Sequence, residues 1–291
     1  MPAQLILNAD DFGLTRGVNR AIGELAAAGV LTSATLMASG GAFDDAVAVA
    51  HAKPTLAVGC HIVLTDGAPV SAPDRIPSLI GSDGKHFRPL LRDFLRALFT
   101  GRIREQDVYR ESLAQIQRLQ AAGINVTHVD SHKHTHMFPN VLRPILRAAK
   151  ACGVRAVRNP FEPRRCWPHS MFLGSTKMWL RSAGVTCFSI FGQAFRRAVQ
   201  EEGMLTTDGT VGIVATGKLD SKILVSILEA LPEGTWELVC HPGYADADLA
   251  AAGTRLTGSR EIELEALTSP GVKSLISRRK IALISYADLY S

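Results

Sequence analysis

The chain has 291 residues, of which 46% are hydrophobic and 20% charged, a globular composition long enough to bury a core without disulfides or structural metals. Its net charge of +5 gathers in short clusters such as RPLLRDFLR, FEPRRC and SRRK; without a reading motif, so mild an excess excludes nucleic acid as a partner. Cys60, Cys152, Cys166, Cys187 and Cys240 are odd in number and form no CxxC pair, MPAQLILNADD reaches acids too early for a signal peptide, and no window holds the ~18 apolar residues of a spanning helix, so a cytoplasmic protein is expected.

In chain order, an apolar run at 4–9 predicts a strand that ends on two acids, and the amphipathic stretch 16–29, closing at Gly29, predicts a helix. Strands are expected at 31–37 and 56–64. A Pro-, Gly- and Asp-containing stretch at 65–87 then reads as a loop at one rim. Helix 104–122 ends at Gly123, strand 125–130 follows, and helix 138–152 ends at Gly153. Further strands are expected at 154–157, 187–191, 211–215, 235–240 and 281–285, with a helix at 219–231 that Asp220 or Ser221 can cap. Apolar strands alternating with longer amphipathic stretches predict an α/β fold, a distorted (βα) barrel of seven or eight mainly parallel strands. No linker or repeat interrupts it, so residues 1–291 read as a single domain.

In such a barrel the working groups sit where strands pass into loops. Asp10 and Asp11 lie there, pointing in different directions, so that one can bind a cation while the other handles a proton; the competing reading has one of them cap the next helix. Residues 128–136, HVDSHKHTH, place His128, Asp130, His132, His134 and His136 at period two, along one face if the strand continues. Only one or two of them can ligate one ion, since residues two apart stand roughly 6.5–7 Å from each other. In LAVGCHIVL the small face Ala57, Gly59 and His61 turns inward while Val58, Cys60 and Ile62 pack outward, and WELVCHPGY repeats the design with Cys240 and His241. Both cysteines are therefore expected in the core. Asp with two His leaves positions open on a divalent ion, as hydrolytic chemistry requires. A metal-dependent phosphoesterase, or a sugar- or metal-binding protein without activity, would use some of the same groups.

NADDFG at 8–13, GCHIVLTDGAP at 59–69, THVDSHKHTHMFP at 127–139, CHPGY at 240–244 and SREIELEALTS at 259–269 resemble the YdjC-like carbohydrate deacetylases, relatives of the chitooligosaccharide deacetylase. The resemblance covers nearly the whole chain and implies a hydrolase that removes the N-acetyl group of a sugar with one divalent metal ion: zinc or magnesium, with cobalt, nickel and manganese as further options. It implies Asp11, His61 and His132 as metal ligands, Asp10 as general base and His241 as the group that protonates the departing amine. His132 is preferred to His128 because it follows Asp-Ser in the motif. The stretch 155–215 departs from the chitooligosaccharide enzyme. Its VRNPFEP start, followed by Trp167, Met171, Phe172, Met178, Trp179 and Leu180 beside Arg164 and Arg165, is similar to the hopanoid-biosynthesis-associated branch, which implies an acetylglucosaminyl head group on a membrane triterpenoid. The partners so implied are an N-acetylated sugar or glycolipid and peripheral contact with the inner membrane surface; a homodimer is left open. Arg260 and the acids through Glu263 are expected as helix-end pairs at the surface.

Overall fold

The computed structural model describes residues 3–168 and 176–290. Eight strands, β1 (Ala3–Phe12), β2 (Ser33–Leu36), β3 (Ala57–Ile62), β4 (Val126–Ser131), β5 (Ala156–Val157), β6 (Gly209–Val211), β7 (Gly234–Cys240) and β8 (Ala282–Ile284), pair in parallel throughout. Seven of them form one curled half-barrel in the order β5-β4-β3-β2-β1-β7-β6, and β8 joins β1. Between the edge strands, Val157 N–H donates to Leu205 O at 2.9 Å and Thr210 N–H to Phe161 O at 3.2 Å, which narrows the open side without a full ladder. The helices around it are α1 (Arg16–Ala27), α2 (Phe43–Ala52), α3 (Leu91–Phe99), α4 (Glu105–Ala121), α5 (Pro139–Ala151), α6 (Thr176–Phe188), α7 (Gly192–Glu201), α8 (Ser221–Glu229), α9 (Ala247–Ala251), α10 (Ser259–Thr268) and α11 (Pro270–Arg278).

The cap of α8 is as expected and that of α1 is not. Thr15, not either acid, caps α1 by accepting from Val18 N–H, and Asp220 caps α8 by accepting from Ile223 N–H. The outward faces of the strands and the inward stripes of the helices merge into one apolar core that runs from Leu5 to Ile281, with Cys60 and Cys240 wholly inside it. Burial raises both thiols well above their usual range, so neither is a nucleophile.

Two expectations about the elements need correction. Residues 187–191 are helical, not a strand: α6 runs to Phe188 and a 3₁₀ turn covers Ser189–Phe191. Phe188 and Phe191, three apart, both pack on Phe138, at ring distances of 5.4 and 5.5 Å, and that contact overrides the strand preference of CFSIF. The histidine run does not share one strand face either. β4 stops at Ser131, and His132–Met137 form a 3₁₀ segment in which Lys133 and His134 take left-handed φ of 55° and 53°. The 65–87 stretch is a loop, as expected, and α4 holds it. Buried Glu111 of α4 accepts from Val70 and Ser71 N–H, and Asp107 accepts from Ser78 N–H.

In the 155–180 stretch, Met178 is buried, Trp167 packs partly against the core and Trp179 is 62% exposed. Met171 and Phe172 lie outside the described residues, as does the side chain of Leu180. No helix among the described residues is long and apolar enough to cross a membrane.

Candidate active site

The inward faces of the strands carry a polar cluster instead of an apolar barrel filling. β1 contributes Asn8 and Asp10, β2 Thr35, β3 His61, β4 Asp130, β7 Glu237, and the residue after β5 is Arg158; all are at most 2% exposed. Arg158 is the hub. Its Nη1 and Nη2 donate to the two oxygens of Asp10 at 2.8 and 2.6 Å, its Nε and Nη2 donate to Glu237 Oε1 at 2.9 and 2.6 Å, and Nη1 lies 2.6 Å from Asp130 Oδ2. One guanidinium fork thus compensates three buried carboxylates, which only its planar array of five donors can do. Burial opposes the charge of Asp10, but the Arg158 guanidinium, with His61 and His241, holds the carboxyl far below its usual range. Burial raises Glu237 in spite of Arg158.

At the strand ends above this cluster, β1 bulges between Ala9 and Phe12, and Asp11 takes a left-handed φ of 63°. The bulge breaks the strict alternation, so adjacent acids serve different partners: Asp10 faces Arg158, whereas Asp11 faces two histidines and Arg260. Asp11 Oδ1 is 3.6 Å from His61 Nε2 and 3.3 Å from His132 Nδ1, and the two imidazole nitrogens are 3.3 Å apart. Asp11 Oδ2 accepts from Arg260 Nη2 at 2.6 Å. Burial works against its charge, yet Arg260 and His132 hold Asp11 well below the carboxylate range. His61 Nδ1 is 2.7 Å from Asp130 Oδ1; a carboxylate oxygen accepts, so Nδ1 is the donor and Nε2 is the nitrogen turned towards Asp11. Burial alone would lower His61, but Asp130, Asp10 and Asp11 push it up to about 9.

Three donors spaced 3.3–3.6 Å apart match one triangular face of a tetrahedral site, where bonds of about 2.0–2.1 Å put ligand atoms roughly 3.3–3.4 Å from each other. The hydrogen bond from His61 Nδ1 to Asp130 is the carboxylate–histidine arrangement that fixes a ligating ring. These residues fit a divalent ion. A second triad, Asp10, His61 and Asp130, also has its ligand atoms within 4.8 Å of one another, but Arg158 already sits against both acids, so a cation there would have to displace the guanidinium.

His241 follows β7 with its Nε2 3.9 Å from Asp10 Oδ2 and its Nδ1 3.8 Å from Glu263 Oε2, while Glu263 accepts from His241 N–H at 2.6 Å. The structure therefore gathers Asp10, Asp11, His61, His132 and His241 at one end of the sheet. It leaves the rest of the histidine run apart from the triads. His128 is stacked on Tyr286, and His136 Nδ1 is held by Ser131 Oγ at 2.6 Å. Burial, aided by Arg158, lowers His134 to about 3.

Arg260 and Glu263 are not surface pairs. They are 0% and 1% exposed, and one holds Asp11 while the other holds the His241 backbone. A helix pattern gives period but not which polar face is covered, so their burial was invisible. Arg158 and Glu237 carried weak signals: an arginine straight after an apolar strand, and an acid inside the apolar run WELVC.

Residues 4–278 match the family described as YdjC-like protein. The chain is 34% identical to a carbohydrate deacetylase of Brevibacillus brevis over 98% of this chain and 99% of that protein. It is 29% identical to the chitooligosaccharide deacetylase of Serratia marcescens over 99% of this chain and 100% of that one. The crystal structure of a proposed cellobiose-phosphate cleavage protein from Enterococcus faecalis superposes with a TM-score of 0.79 at 27% identity, covering 99% of each chain. Matched to the family over residues 4–278, and to a relative 34% identical over nearly its full length, the chain belongs to the YdjC-like protein family.

Proposed function

We propose that this protein is a metal-dependent hydrolase that removes the acetyl group from an N-acetylglucosamine-type sugar. The observation that carries the reading is the Asp11–His61–His132 triangle with Asp10 and His241 beside it at the strand ends. Deacetylase relatives aligned over nearly the whole chain support it. Asp11, His61 and His132 would hold the ion, which when bound supplies Lewis-acid polarisation of the amide carbonyl. Asp10, kept ionised and aimed by the Arg158 fork, accepts the proton of the attacking water. His241, within 3.9 Å of Asp10, delivers a proton to the departing nitrogen. The amide C–N bond breaks, a C–O bond forms, and acetate and the free amino sugar leave.

For the substrate, the hopanoid acetylglucosaminyl head group is the reading supported by the VRNPFEP resemblance and by the exposure of Trp179 and Ile190, at 62% and 71%. Such side chains would rest against the bilayer surface. Soluble chitooligosaccharides are the second reading, supported by the Serratia relative. The test is acetate release from soluble and lipid-linked N-acetylglucosamine conjugates by protein loaded in turn with zinc, magnesium, cobalt, nickel or manganese. D10N is expected to lose at least about 10²-fold in kcat while keeping one ion per chain, and H132A to lose the ion. Acetate release unchanged in D10N, or full metal occupancy in H132A, would refute these roles. No release from either conjugate would return the phosphoesterase to the front.

A further inference from the structure

We infer that Tyr286, in the C-terminal segment that follows residues 4–278, is a positioning residue for the active site, holding Glu237 so that Arg158 presents its fork to Asp10 and Asp130. The inference rests on the hydrolase reading above for its kinetic part.

The segment reaches the cluster from below. β8 pairs with β1 at Gln4–Ile6, short of the point where β2 takes over that edge at Asn8. The chain then turns under the sheet in a 3₁₀ segment, Tyr286–Tyr290. Tyr286 N–H donates to Ser33 Oγ at the start of β2, and at the far end the Tyr290 hydroxyl donates to Thr127 O of β4. The Tyr286 side chain is wholly buried. Its ring stacks on His128 with centroids 3.7 Å apart and planes 12° from parallel, and its hydroxyl donates to Glu237 Oε2 at 2.5 Å.

Glu237 has two oxygens with different duties: Oε2 receives Tyr286, with Thr210 Oγ1 at 3.3 Å, and Oε1 receives Arg158. An apolar core would leave that carboxylate free to rotate or to take up a proton, since burial already disfavours its charge. The Tyr286 O–H restrains both. Arg158 then spans from Glu237 to Asp10 and Asp130, and Asp130 in turn fixes the tautomer of His61. The unbroken sequence of hydrogen bonds Tyr286–Glu237–Arg158–Asp10 therefore runs from the closed end of the barrel to the proposed base. Small misplacements at a base are costly to turnover.

Tyr286→Phe keeps the ring on His128 and removes only the donor. Expected are a roughly tenfold fall in kcat with KM and calorimetric metal affinity within about twofold of wild type, and a Y286F/E237Q double variant no slower than E237Q alone, because the two act in series. Wild-type kcat in Y286F, or losses that multiply in the double variant, would overturn the proposal; a plug with only a structural role gives the second pattern. Should Y286F fail to fold, the buried hydroxyl proton of Tyr286 is read by NMR in wild type and in D10N. A resonance that moves in D10N supports the connection through Arg158, and one that stays in place refutes it. Wild-type protein that releases no acetate would overturn the hydrolase reading instead, and the NMR comparison would still decide the positioning.

Discussion

At the scale of single residues, the charge balance of the interior turns on Arg158. Removing one partner from a buried ionic cluster leaves the others desolvated and uncompensated, typically at 3–5 kcal/mol. Arg158→Met is therefore expected to destabilise the fold by about that much, read as a shift of the urea unfolding midpoint, because Asp10, Asp130 and Glu237 would share a site without their cation. Arg158→Lys keeps the charge but cannot hold three carboxylates at once, so it should recover part of the stability and little of the turnover. Equal stability of the Met variant and wild type would show that the carboxylates rearrange or protonate at small cost.

At the scale of elements, the pairing of β3 with β4 depends on a missing side chain. A Cβ built on Gly59 would lie 2.5–2.6 Å from the ring atoms of His128, and that ring cannot retreat because Tyr286 is stacked on it. Gly59→Ala should cost about 1–3 kcal/mol as an overpacking substitution. Since β3 delivers His61 two residues later, the same change should weaken metal binding, measured by calorimetry against zinc. A variant with unchanged melting temperature and metal affinity would mean that the two strands can part freely. The same pairing explains why the histidine run is not a strand: β3 ends at Ile62 opposite Ser131, and the backbone then turns left-handed at Lys133 and His134.

At the scale of the whole molecule, neutral histidines in the interior couple stability to acid. Burial, then the Arg158 charge, keeps His128 well below the ordinary 6.5, and burial, then His134, does the same for His136. In the unfolded chain both titrate near 6.5, so below that pH the unfolded state binds more protons and stability falls as pH falls. Above it neither contributes. Each should give a slope of about 1.4 kcal/mol per pH unit, continuing down to its folded value. Urea unfolding at pH 7.5, 6.0 and 5.0 checks this, and His128→Phe should flatten the acid limb by one proton; an unchanged limb would place the lost proton elsewhere.

By itself the sequence determined the α/β alternation, seven of the eight observed strands to within a few residues and β1 apart from its extension through the acids, and the caps of α1 and α8 only in part, since Thr15 stood unnoticed beside the two acids. These are local properties: hydrophobic period, turn residues and caps are written in neighbouring positions. It also put Asp10, Asp11, His61, the His128–His136 run and His241 at strand ends, because Asp and His at the end of an apolar run are out of place in a core, and the family resemblance singled out His132 within the run. Only the tertiary structure decided how they divide. A bulge at Asp11 separates the two acids, the turn after Ser131 selects His132 from its neighbours, and the contacts of Arg158 with Asp10, of Glu237 with Arg158 and Tyr286, and of Arg260 with Asp11 join residues 49 to 249 apart in partnerships that no local pattern encodes. Compensation of buried charge is a property of the curled half-barrel, where distant strands share one low-dielectric space, and it can be read only once the chain has folded.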